Sequence, residues 1–358
     1  MKILDKYIIL KFLGTFFLCI ILILMIVVVF DVSEHMEDFI AKKPPLKAIV
    51  LDFYFNVIPF YANRFSPLFT FIAVIYFTSR MADRSEIIAI LSSGISFRRM
   101  LFPYMFSAAI LALLSLYLNH FVIPKANKTR LAFEEAYIRN KYLNQDRHIH
   151  RQIEPGTFIY FSSFDNQSNI GYQFSFEKIH NGDRFYYLKS DDIKWDSVSR
   201  KWTLENYFIR RVDGMKESIR TGPKLDTTFS FQPSEFGKRE NRIEAMPTPE
   251  LVQFINNQKQ QGSSQIQYYE VEKDWRSAYP FATFVLTLIG VSLSSRKVRG
   301  GIGWHLGLGL LISFSYILFM QVSSNFAIYG GLSPLIAVWI PNVIFTFLAL
   351  FMLRAAPK

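Results

Sequence analysis

Residues 12–30 form a continuous uncharged stretch that consists mainly of Leu, Ile, Val, Phe and Met. A helix needs about 20 residues to cross roughly 30 Å of hydrocarbon, so this stretch is long enough to span a membrane. Similar apolar stretches follow at 58–78, 100–123, 277–294, 302–327 and 333–353. The sequence therefore predicts an α-helical polytopic membrane protein with six transmembrane helices.

A long polar segment separates the third and fourth apolar stretches. This pattern divides the chain into residues 1–123 with the first three spans, an inserted domain at 124–246, a connector at 247–276 and the last three spans at 277–358. A length of 358 residues would by itself allow two or three soluble domains. The apolar stretches exclude that organisation.

The inserted domain has the sequence pattern of β-structure. Tyr172, Phe174 and Phe176 alternate with polar residues, which is the period of a strand with one buried face. Aromatic and β-branched residues are also concentrated at 157–161, 184–189, 192–196, 201–212 and 227–231. Turn dipeptides separate these runs: Asn181-Gly182, Asp213-Gly214 and Gly222-Pro223. We therefore predict an all-β, jelly-roll-like domain.

The connector is predicted to contain two short helices, at 249–261 and 265–275. Thr248 followed by Pro249 is typical of a helix start, because the hydroxyl can cap the helix and proline is favoured in its first turn. The Gln, Asn and Ser content of 256–267 leaves a flexible linker as the alternative.

Lys and Arg are unevenly distributed between the two sides of the predicted spans. Twelve of them lie in the N-terminal segment, the connection between the second and third spans, the turn between the fourth and fifth, and the C-terminal tail. The opposite short loops contain Lys42, Lys43 and Lys47 among several acidic residues. The positive-inside rule therefore places both termini in the cytoplasm and the inserted domain outside it.

No catalytic or nucleotide-binding motif is recognisable in the sequence. The glycines of 300–309 lack the order of a phosphate-binding loop. Gly303 and Gly307 instead have the small-x-x-x-small spacing of closely packed membrane helices. His148 and His150 have no further metal-ligand residues nearby, so we predict no metal site. The net charge of +11 is explained by the ends of the spans, so nucleic-acid binding is not expected. We expect a non-catalytic chain without a cofactor of its own.

The connection between the second and third spans contains a candidate amphipathic helix at about 83–97. Ile87, Ile88, Ile90 and Leu91 form an apolar stripe at helical spacing. Such a helix would lie on the membrane surface or dock into a groove on a partner.

The ends and the charge of this helix can also be predicted. Asp83 or Ser85 is placed to cap its start and Gly94 to end it. Glu86 is one of two acidic residues beside four arginines, which suits a specific charge pair with a soluble partner. A solvated surface glutamate is the alternative.

Several short sequence stretches, taken in their order along the chain, indicate a known family. Ile3–Ile8 (ILDKYI) begins it, Ser85–Ile90 (SEIIAI) is followed by Ser93–Ser96 (SGIS), and Gly331–Pro334 (GLSP) precedes Trp339–Asn342 (WIPN) in the last span. Together with the plan of three spans, a β-domain and three spans, these stretches resemble the lipopolysaccharide-export permease family. The similarity covers the whole chain, and the inserted domain is its least similar part.

The resemblance implies a permease subunit of an ATP-driven ABC exporter in the bacterial inner membrane. Such a chain pairs with a second homologous permease, and a cytoplasmic ABC ATPase dimer binds the ATP and Mg²⁺. Lipopolysaccharide enters the cavity between the permeases from the membrane and leaves through a bridge of periplasmic β-domains and bridge proteins toward the outer membrane. The acidic stretch Asp31–Glu34 is slightly more similar to the G-type than to the F-type partner, and the type stays open.

The resemblance also implies a role for the helix around Glu86, which would transmit the motion of the ATPase to the bundle. Ile87, Ile90 and Leu91 are predicted to be buried against the ATPase, where each Å² of buried apolar surface contributes about 25 cal/mol. Glu86 would fix the register of this contact, and Gly94 would end the helix.

A cationic cluster of Lys42, Lys43 and Arg64 is predicted to bind the phosphates of the lipid. Arg64 lies within the second apolar stretch, where an ionisable residue is costly unless it is paired or faces water. The alternative is that Arg64 reaches the headgroups or pairs with Asp52 or Asp31, and that Lys42 and Lys43 are ordinary loop charges.

Phe174 and Phe176 are predicted to contact acyl chains within the sheet. An ordinary hydrophobic core is the alternative for these two side chains.

Two other functions are compatible with the sequence. A non-transport sensor would bind a ligand with its β-domain and signal inward through 80–99, although no long cytoplasmic domain is present to receive the signal. A mechanotransmitting ABC permease would move no lipid through its own bundle.

Overall fold

The computed structural model describes residues 3–138, 147–180, 183–236, 240–263, 265–296 and 301–356. The chain forms two compact units. The helical unit comprises Met1–Ile138, Glu244–Thr248 and Gln267–Lys358. The sheet unit comprises Arg139–Ile243 and Pro249–Ile266, so the chain passes between the units four times.

Long helices alternate with short connecting helices along the chain. The helices are α1 (Ile3–Glu34), α2 (Met36–Lys42), α3 (Leu46–Ala48), α4 (Phe55–Asp83), α5 (Glu86–Ser92), α6 (Phe97–Tyr117), α7 (Ile123–Tyr137), α8 (Thr248–Gln260), α9 (Ile266–Ala278), α10 (Phe281–Ser294), α11 (Gly301–Tyr329) and α12 (Pro334–Ala355). Short π-helical segments at Ile49–Tyr54 and Leu118–Val122 join α3 to α4 and α6 to α7.

Within the described residues, five helical segments are long and apolar enough to cross a membrane: α1, α3 with α4, α6 with α7, α11 and α12. A sixth is formed if α9 and α10, which are bent by 50°, are counted as one broken span. With 14 residues, α10 alone is about 21 Å long, which is too short for the hydrocarbon core. Pro280 lies at the break, where it cannot donate the backbone hydrogen bond that would continue the helix. The predicted helical membrane protein is confirmed.

The bundle is organised around α10, in which ten of the 14 residues are buried. Gly290 allows α4 to approach closely, because a Cβ at this position would lie 2.9 Å from Val74 Cγ1 and 3.1 Å from Phe71 Cδ2. By contrast, α1 has only one buried apolar stripe: Ile8, Ile9, Phe12, Phe16 and Ile20.

Most of the other large apolar side chains of α1 are exposed, and α11 has a similar outer surface. Phe17 and Leu18 of α1 and Phe314 and Leu318 of α11 belong to these surfaces. Continuous apolar faces of this kind mark contact with a membrane or with a partner protein. They agree with a chain that lies in lipid.

The described part of the sheet unit contains six antiparallel strands: β1 (Arg147–Glu154), β2 (Thr157–Asp165), β3 (Ile170–His180), β4 (Asp183–Asp196), β5 (Lys201–Asp213) and β6 (Lys216–Thr227). Strands that are adjacent in the chain are adjacent in the sheet, in the order β1-β2-β3-β4-β5-β6. The inserted β-domain is confirmed. Its topology differs from the predicted jelly-roll-like fold, which has two sheets with Greek-key connections. Here the strands form one meander, because each connection is a hairpin.

The predicted turn at Gly222-Pro223 is wrong, because both residues lie within β6. Since β6 is an edge strand, a proline there need not remove a hydrogen bond of the sheet. Gly222 lies against Tyr207, whose Cε1 would be 2.8 Å from a Cβ at residue 222.

The other strand and turn predictions differ in detail. Asp213-Gly214 joins β5 to β6 as predicted. The predicted runs 184–189 and 192–196 form the single strand β4. Of the run 227–231, Thr227 ends β6 and 228–231 follow it as an irregular segment. The strand β1 was not predicted, and Asn181-Gly182 lies outside the described residues.

The helical unit extends further into the predicted inserted domain than hydropathy indicates. The third span continues through α7, and the first segment of the helical unit therefore ends at Ile138 rather than near residue 123. The reason is that α7 is amphipathic: its Phe133 packs with Phe53 and Tyr54 although the segment as a whole is polar. The segment Glu244–Thr248, which we call the strap, also belongs to the helical unit.

The two predicted connector helices are observed as α8 and α9. The strap leads directly into α8, since Thr248 is the last residue of the strap and the first of α8. At the other side of the connector, α9 leads into α10. The connector is therefore helical on both sides of 261–265 rather than a continuous flexible linker.

Trp202 should be the residue on which the stability of the sheet unit depends most strongly. It is fully buried, packs against Trp195 and Phe231, and donates a hydrogen bond from Nε1 to the Phe231 carbonyl at 3.2 Å. We expect Trp202→Ala to destabilise the unit by about 3–5 kcal/mol through the cavity that it creates. The measurement is the rate of tryptic cleavage within the sheet unit of the full chain.

Val198→Ala is the matched control, because Val198 is 95% exposed. Equal cleavage rates for the Trp202 variant and the wild type would contradict this account of the core.

Candidate functional site

The first candidate site is α5, in the connection between α4 and α6. Its Ile87 is 1% exposed and packs among Met81, Phe97 and Met100 of the same chain. Ile90 and Leu91 are partly buried against the same cluster. The structure therefore corrects the predicted orientation of this stripe: it faces the chain's own bundle rather than a partner.

The ends of α5 also differ from the sequence-based range of 83–97, since the helix covers only Glu86–Ser92. Ser85 occupies the N-cap position with a left-handed backbone (φ 60°), and its side chain makes no capping hydrogen bond. Gly94 follows the helix with φ 84°, a conformation that favours glycine, so it stops the helix as predicted.

The open side of α5 consists of Ile88, Ala89 and Ser92, and Ile88 is 59% exposed. Glu86 is partly exposed at the start of the helix. It accepts a hydrogen bond from the hydroxyl of Tyr7 at 3.2 Å, and Arg84 Nη1 is 4.0 Å from its carboxylate. The exposed surface of α5 is thus centred on Ile88.

The second candidate site is a cavity of about 350 Å³ in the helical unit. Its polar lining includes Asn63, Arg64, Asn119, Asn127, Glu244, Glu272 and Arg276, and its aromatic lining Phe60, Tyr61 and Trp275. The residues come from α4, the π-helical segment before α7, α7, the strap and α9.

A chain of buried side-chain amides connects these elements. The hydroxyl of Ser115 donates to Asn63 Oδ1 at 2.6 Å, and Asn63 Nδ2 donates to Asn119 Oδ1 at 2.6 Å. Asn119 Nδ2 in turn donates to the carbonyl of Arg276 at 3.1 Å. These bonds satisfy polar groups that would otherwise be costly in an apolar bundle.

Arg276 holds the strap in place. Its Nη1 donates to the Met246 carbonyl at 2.7 Å, its Nε is 3.3 Å from Glu272, and it also contacts the Thr248 hydroxyl. Arg130 pairs with Glu244 at 3.2 Å at the other end of the strap. The charges that line this cavity are therefore used mainly to join elements of the chain.

Arg64 lies at the edge of the cavity, with its guanidinium 4.4 Å from the ring centre of Trp275. Its carbonyl accepts a hydrogen bond from the Tyr279 hydroxyl. Asp31, one of the two acidic residues predicted as alternative partners of Arg64, accepts a hydrogen bond from the Tyr54 hydroxyl at 3.0 Å.

Lys42 and Lys43 end α2, and Lys43 has a left-handed backbone (φ 47°). The proposed cluster of these two lysines with Arg64 stays a prediction.

Phe174 and Phe176 lie in the core of the sheet unit. Phe174 is 0% exposed and contacts Phe229 and Phe231, while Phe176 contacts Phe229 and Tyr186. In this structure both rings are ordinary core side chains. Access of a lipid to them would require the segment that contains Phe229 and Phe231 to move.

Gly303 and Gly307 are exposed, and a Cβ at either position would meet nothing within 4 Å. The prediction that these residues pack helices is therefore wrong within this chain. Gly309 does so instead, because a Cβ there would lie 2.2 Å from Ile75 Cδ1. The spacing identified the correct helix, but these two glycines lie on its open face.

A family model described as lipopolysaccharide export system permease LptF/LptG matches residues 6–355. The chain belongs to this family. It is therefore a multi-pass permease of the bacterial inner membrane that works in lipopolysaccharide export and is itself non-catalytic. A comparison with curated proteins found no match.

Membership in the LptF/LptG family favours an export permease over the alternative of a non-transport sensor. The family description includes both types, so it does not distinguish the F-type from the G-type permease. The sequence stretches that suggested the family have structural roles here. For example, Asn342 of the last stretch accepts a hydrogen bond from Tyr316 at 2.9 Å and donates one to the Ala278 carbonyl at 3.0 Å.

The residues that join the strap to the bundle were missed by sequence reasoning. Arg130, Glu244 and Arg276 are ordinary charges in polar segments, and nothing in their spacing indicates that they meet. The one available signal was that Arg276 immediately precedes the fourth apolar stretch.

Arg276→Met should release the strap. The substitution removes the donor to Met246 and leaves Glu272 without its ion-pair partner, and breaking a buried pair in this way costs about 3–5 kcal/mol. We expect faster hydrogen–deuterium exchange of the strap amides in the full chain, measured by mass spectrometry.

Arg210→Met is the control, because Arg210 pairs with Glu217 at 2.7 Å on an exposed face, where such pairs contribute little. If the strap amides of the Arg276 variant exchange at the wild-type rate, Arg276 does not hold the strap.

Proposed function

We propose that this permease is one of two homologous subunits that extract lipopolysaccharide from the inner membrane with energy from a cytoplasmic ABC ATPase dimer. The sequence has no phosphate-binding loop, so ATP and Mg²⁺ would be bound by the ATPase. The observation that carries the proposal is α5: a short helix fixed to the bundle by Ile87, with Ile88 exposed on its open side.

This arrangement suits a coupling helix. Because Ile87 is buried in the same cluster as residues of α4 and α6, a displacement of α5 would be passed to both helices. Burial of Ile88 in a groove of the ATPase would contribute about 1.5–3 kcal/mol. Glu86 would add the register of the contact through a charge pair.

The orientation of the permease in the membrane is inferred from the distribution of Lys and Arg. The positive-inside rule supports a cytoplasmic location for both termini and α5, and a periplasmic location for the sheet unit. The sheet unit would then form the first part of a bridge of periplasmic β-domains toward the outer membrane.

The exposed apolar faces of α1 and α11 support pairing with the second permease. Gly303 and Gly307 make part of α11 flat, which would let a helix of the partner approach closely. Lipopolysaccharide would occupy the cavity between the two subunits, with Lys42, Lys43 and Arg64 near its phosphates. Acyl chains would reach Phe174 and Phe176 only after displacement of the Phe229 segment.

Variants of α5 test the proposed coupling. We expect Ile88→Glu and Glu86→Arg to weaken binding of the ATPase, because the first places a charge in an apolar contact and the second reverses a charge pair. Native mass spectrometry of the gently solubilised complex reports the ATPase subunits and the bound lipid together. The wild type should contain two permeases, two ATPases and lipopolysaccharide.

Ile88→Val is the matched control, since it keeps the apolar surface. Full ATPase occupancy and lipid-dependent ATP hydrolysis in Ile88→Glu would exclude α5 as the coupling helix. A wild-type complex that retains the ATPase but holds no lipid would favour a mechanotransmitting permease.

Substitutions of the α11 glycines test the proposed pairing. Gly307→Leu should leave the fold intact, because its side chain enters open space, but should lower the fraction of permease pairs in native mass spectra. Gly309→Leu should instead destabilise the chain itself, because the new side chain would push Ile75 and Phe71 of α4 away from α11. Normal pairing of the Gly307 variant would show that this face is covered by lipid rather than by the partner.

A further inference from the structure

Two stretches that are far apart in the sequence meet at the start of α1. Asp5 is 1% exposed, and its carboxylate forms two parallel hydrogen bonds with Arg99 of α6, Nη1 to Oδ1 and Nη2 to Oδ2, both 2.7 Å long. A bidentate pair of this kind fixes the orientation of both partners as well as their distance.

Tyr7 provides a second connection, to α5. Its hydroxyl donates to Glu86 Oε2 at 3.2 Å, and its ring lies edge-on to Phe77 of α4 with 6.2 Å between the ring centres. Two residues along a helix correspond to a rotation of about 200°. Asp5 and Tyr7 therefore contact different neighbours from nearly opposite sides of α1.

The apolar contacts of α1 are also concentrated near this end. Ile8 and Phe12 are fully buried in the cluster that contains Ile87 of α5 and Phe97 of α6. All buried residues of α1 lie between Asp5 and Ile20. The helix is 32 residues, or about 48 Å, long. At its other end Asp31 accepts a hydrogen bond from Tyr54 at 3.0 Å, and Val28 and Val32 are partly buried. The segment between these two anchored ends exposes most of its apolar side chains, including Leu18, Leu22 and Met25.

We propose that Asp5–Arg99 and Tyr7–Glu86 form a positioning clamp that makes α1 move together with α5. The inference rests on the proposed role of α5 as the coupling helix. A single contact would let α1 rotate about its axis or slide when α5 moves. Two contacts on opposite sides of α1 prevent both motions, so a displacement at α5 is delivered to the exposed part of α1. The clamp also gives a physical role to the N-terminal stretch Ile3–Ile8.

The clamp predicts a separation between ATP hydrolysis and transport. The test uses the complete complex of both permeases and the ATPase, reconstituted in vesicles that contain lipopolysaccharide. With Asp5→Asn or Tyr7→Phe we expect ATP hydrolysis within about two-fold of wild type, while lipopolysaccharide released per ATP falls about five-fold or more. Because Asp5 and Arg99 act as a pair, Asp5→Asn combined with Arg99→Gln should be no worse than Asp5→Asn alone.

Two exposed residues provide matched controls. Arg98→Gln removes the neighbouring arginine, and Tyr117→Phe removes the hydroxyl of a tyrosine that is 57% exposed. Both should leave transport per ATP unchanged. If assembly, hydrolysis and transport all fall together in Asp5→Asn, the pair only supports folding and the clamp is rejected.

Distances between spin labels separate failure of the clamp from failure of the proposed function. In a Cys19→Ser background, labels at Ser92→Cys in α5 and at Leu18→Cys in α1 are each measured against Leu350→Cys in α12. We expect nucleotide to change both distances, and Asp5→Asn to abolish the change at Leu18 but not at Ser92. A change at Leu18 that persists in Asp5→Asn overturns the clamp. No nucleotide-dependent change at Ser92 in the unmutated background overturns the coupling role of α5 and the clamp with it.

Discussion

The absence of water in hydrocarbon determines how this bundle is built. A backbone polar group within the spans must find its partner in the protein, because lipid offers none. The break between α9 and α10 frees backbone groups, and Asn342 of α12 binds the Ala278 carbonyl at this break. Ser79 of α4 likewise bonds His305 of α11 at 2.9 Å. Each of these bonds joins two helices, so the same requirement that satisfies polar groups also fixes the helix arrangement.

Charged residues follow the same rule at the two ends of the bundle, with different consequences. At the end where α1 begins, Asp5 and Arg99 join two helices that also contact the exposed helix α5. At the other end, Arg276 and Arg130 hold the strap, which lies between two segments of the sheet unit in the chain. Motion of α5 and anchoring of the strap would therefore depend on separate ion pairs, and the two ends can be altered independently.

The sequence was sufficient for the features that depend on many residues. A membrane span is recognised from about 20 apolar residues, so single exceptions such as Arg64 do not obscure it. The α7 extension was missed because amphipathic helices lower the average hydropathy. Alternation located most strands, but it does not specify which strands pair, and the meander could not be distinguished from a jelly roll.

For the candidate sites, the sequence identified faces but not their neighbours. The stripe of Ile87, Ile90 and Leu91 was correctly placed on one side of a helix, yet only the structure shows that the chain itself covers it. For Gly303 and Gly307 the spacing placed both residues on one face of α11, and only the structure shows that this face is open. Asp5 and Arg99 are separated by 94 positions, and no local pattern connects them.

The position of the strap has a consequence for biogenesis. The first three spans leave the ribosome before residues 244–276, yet Asn119 and Arg130 each have one of their partners in that later segment. At about 5–20 residues per second, translation of the intervening chain takes on the order of 10 s. During this interval the early helices are in the membrane with polar groups that still lack their final partners. Until α9 arrives, the polar groups of newly inserted α4, α6 and α7 must therefore be satisfied by water, lipid headgroups or an insertion chaperone.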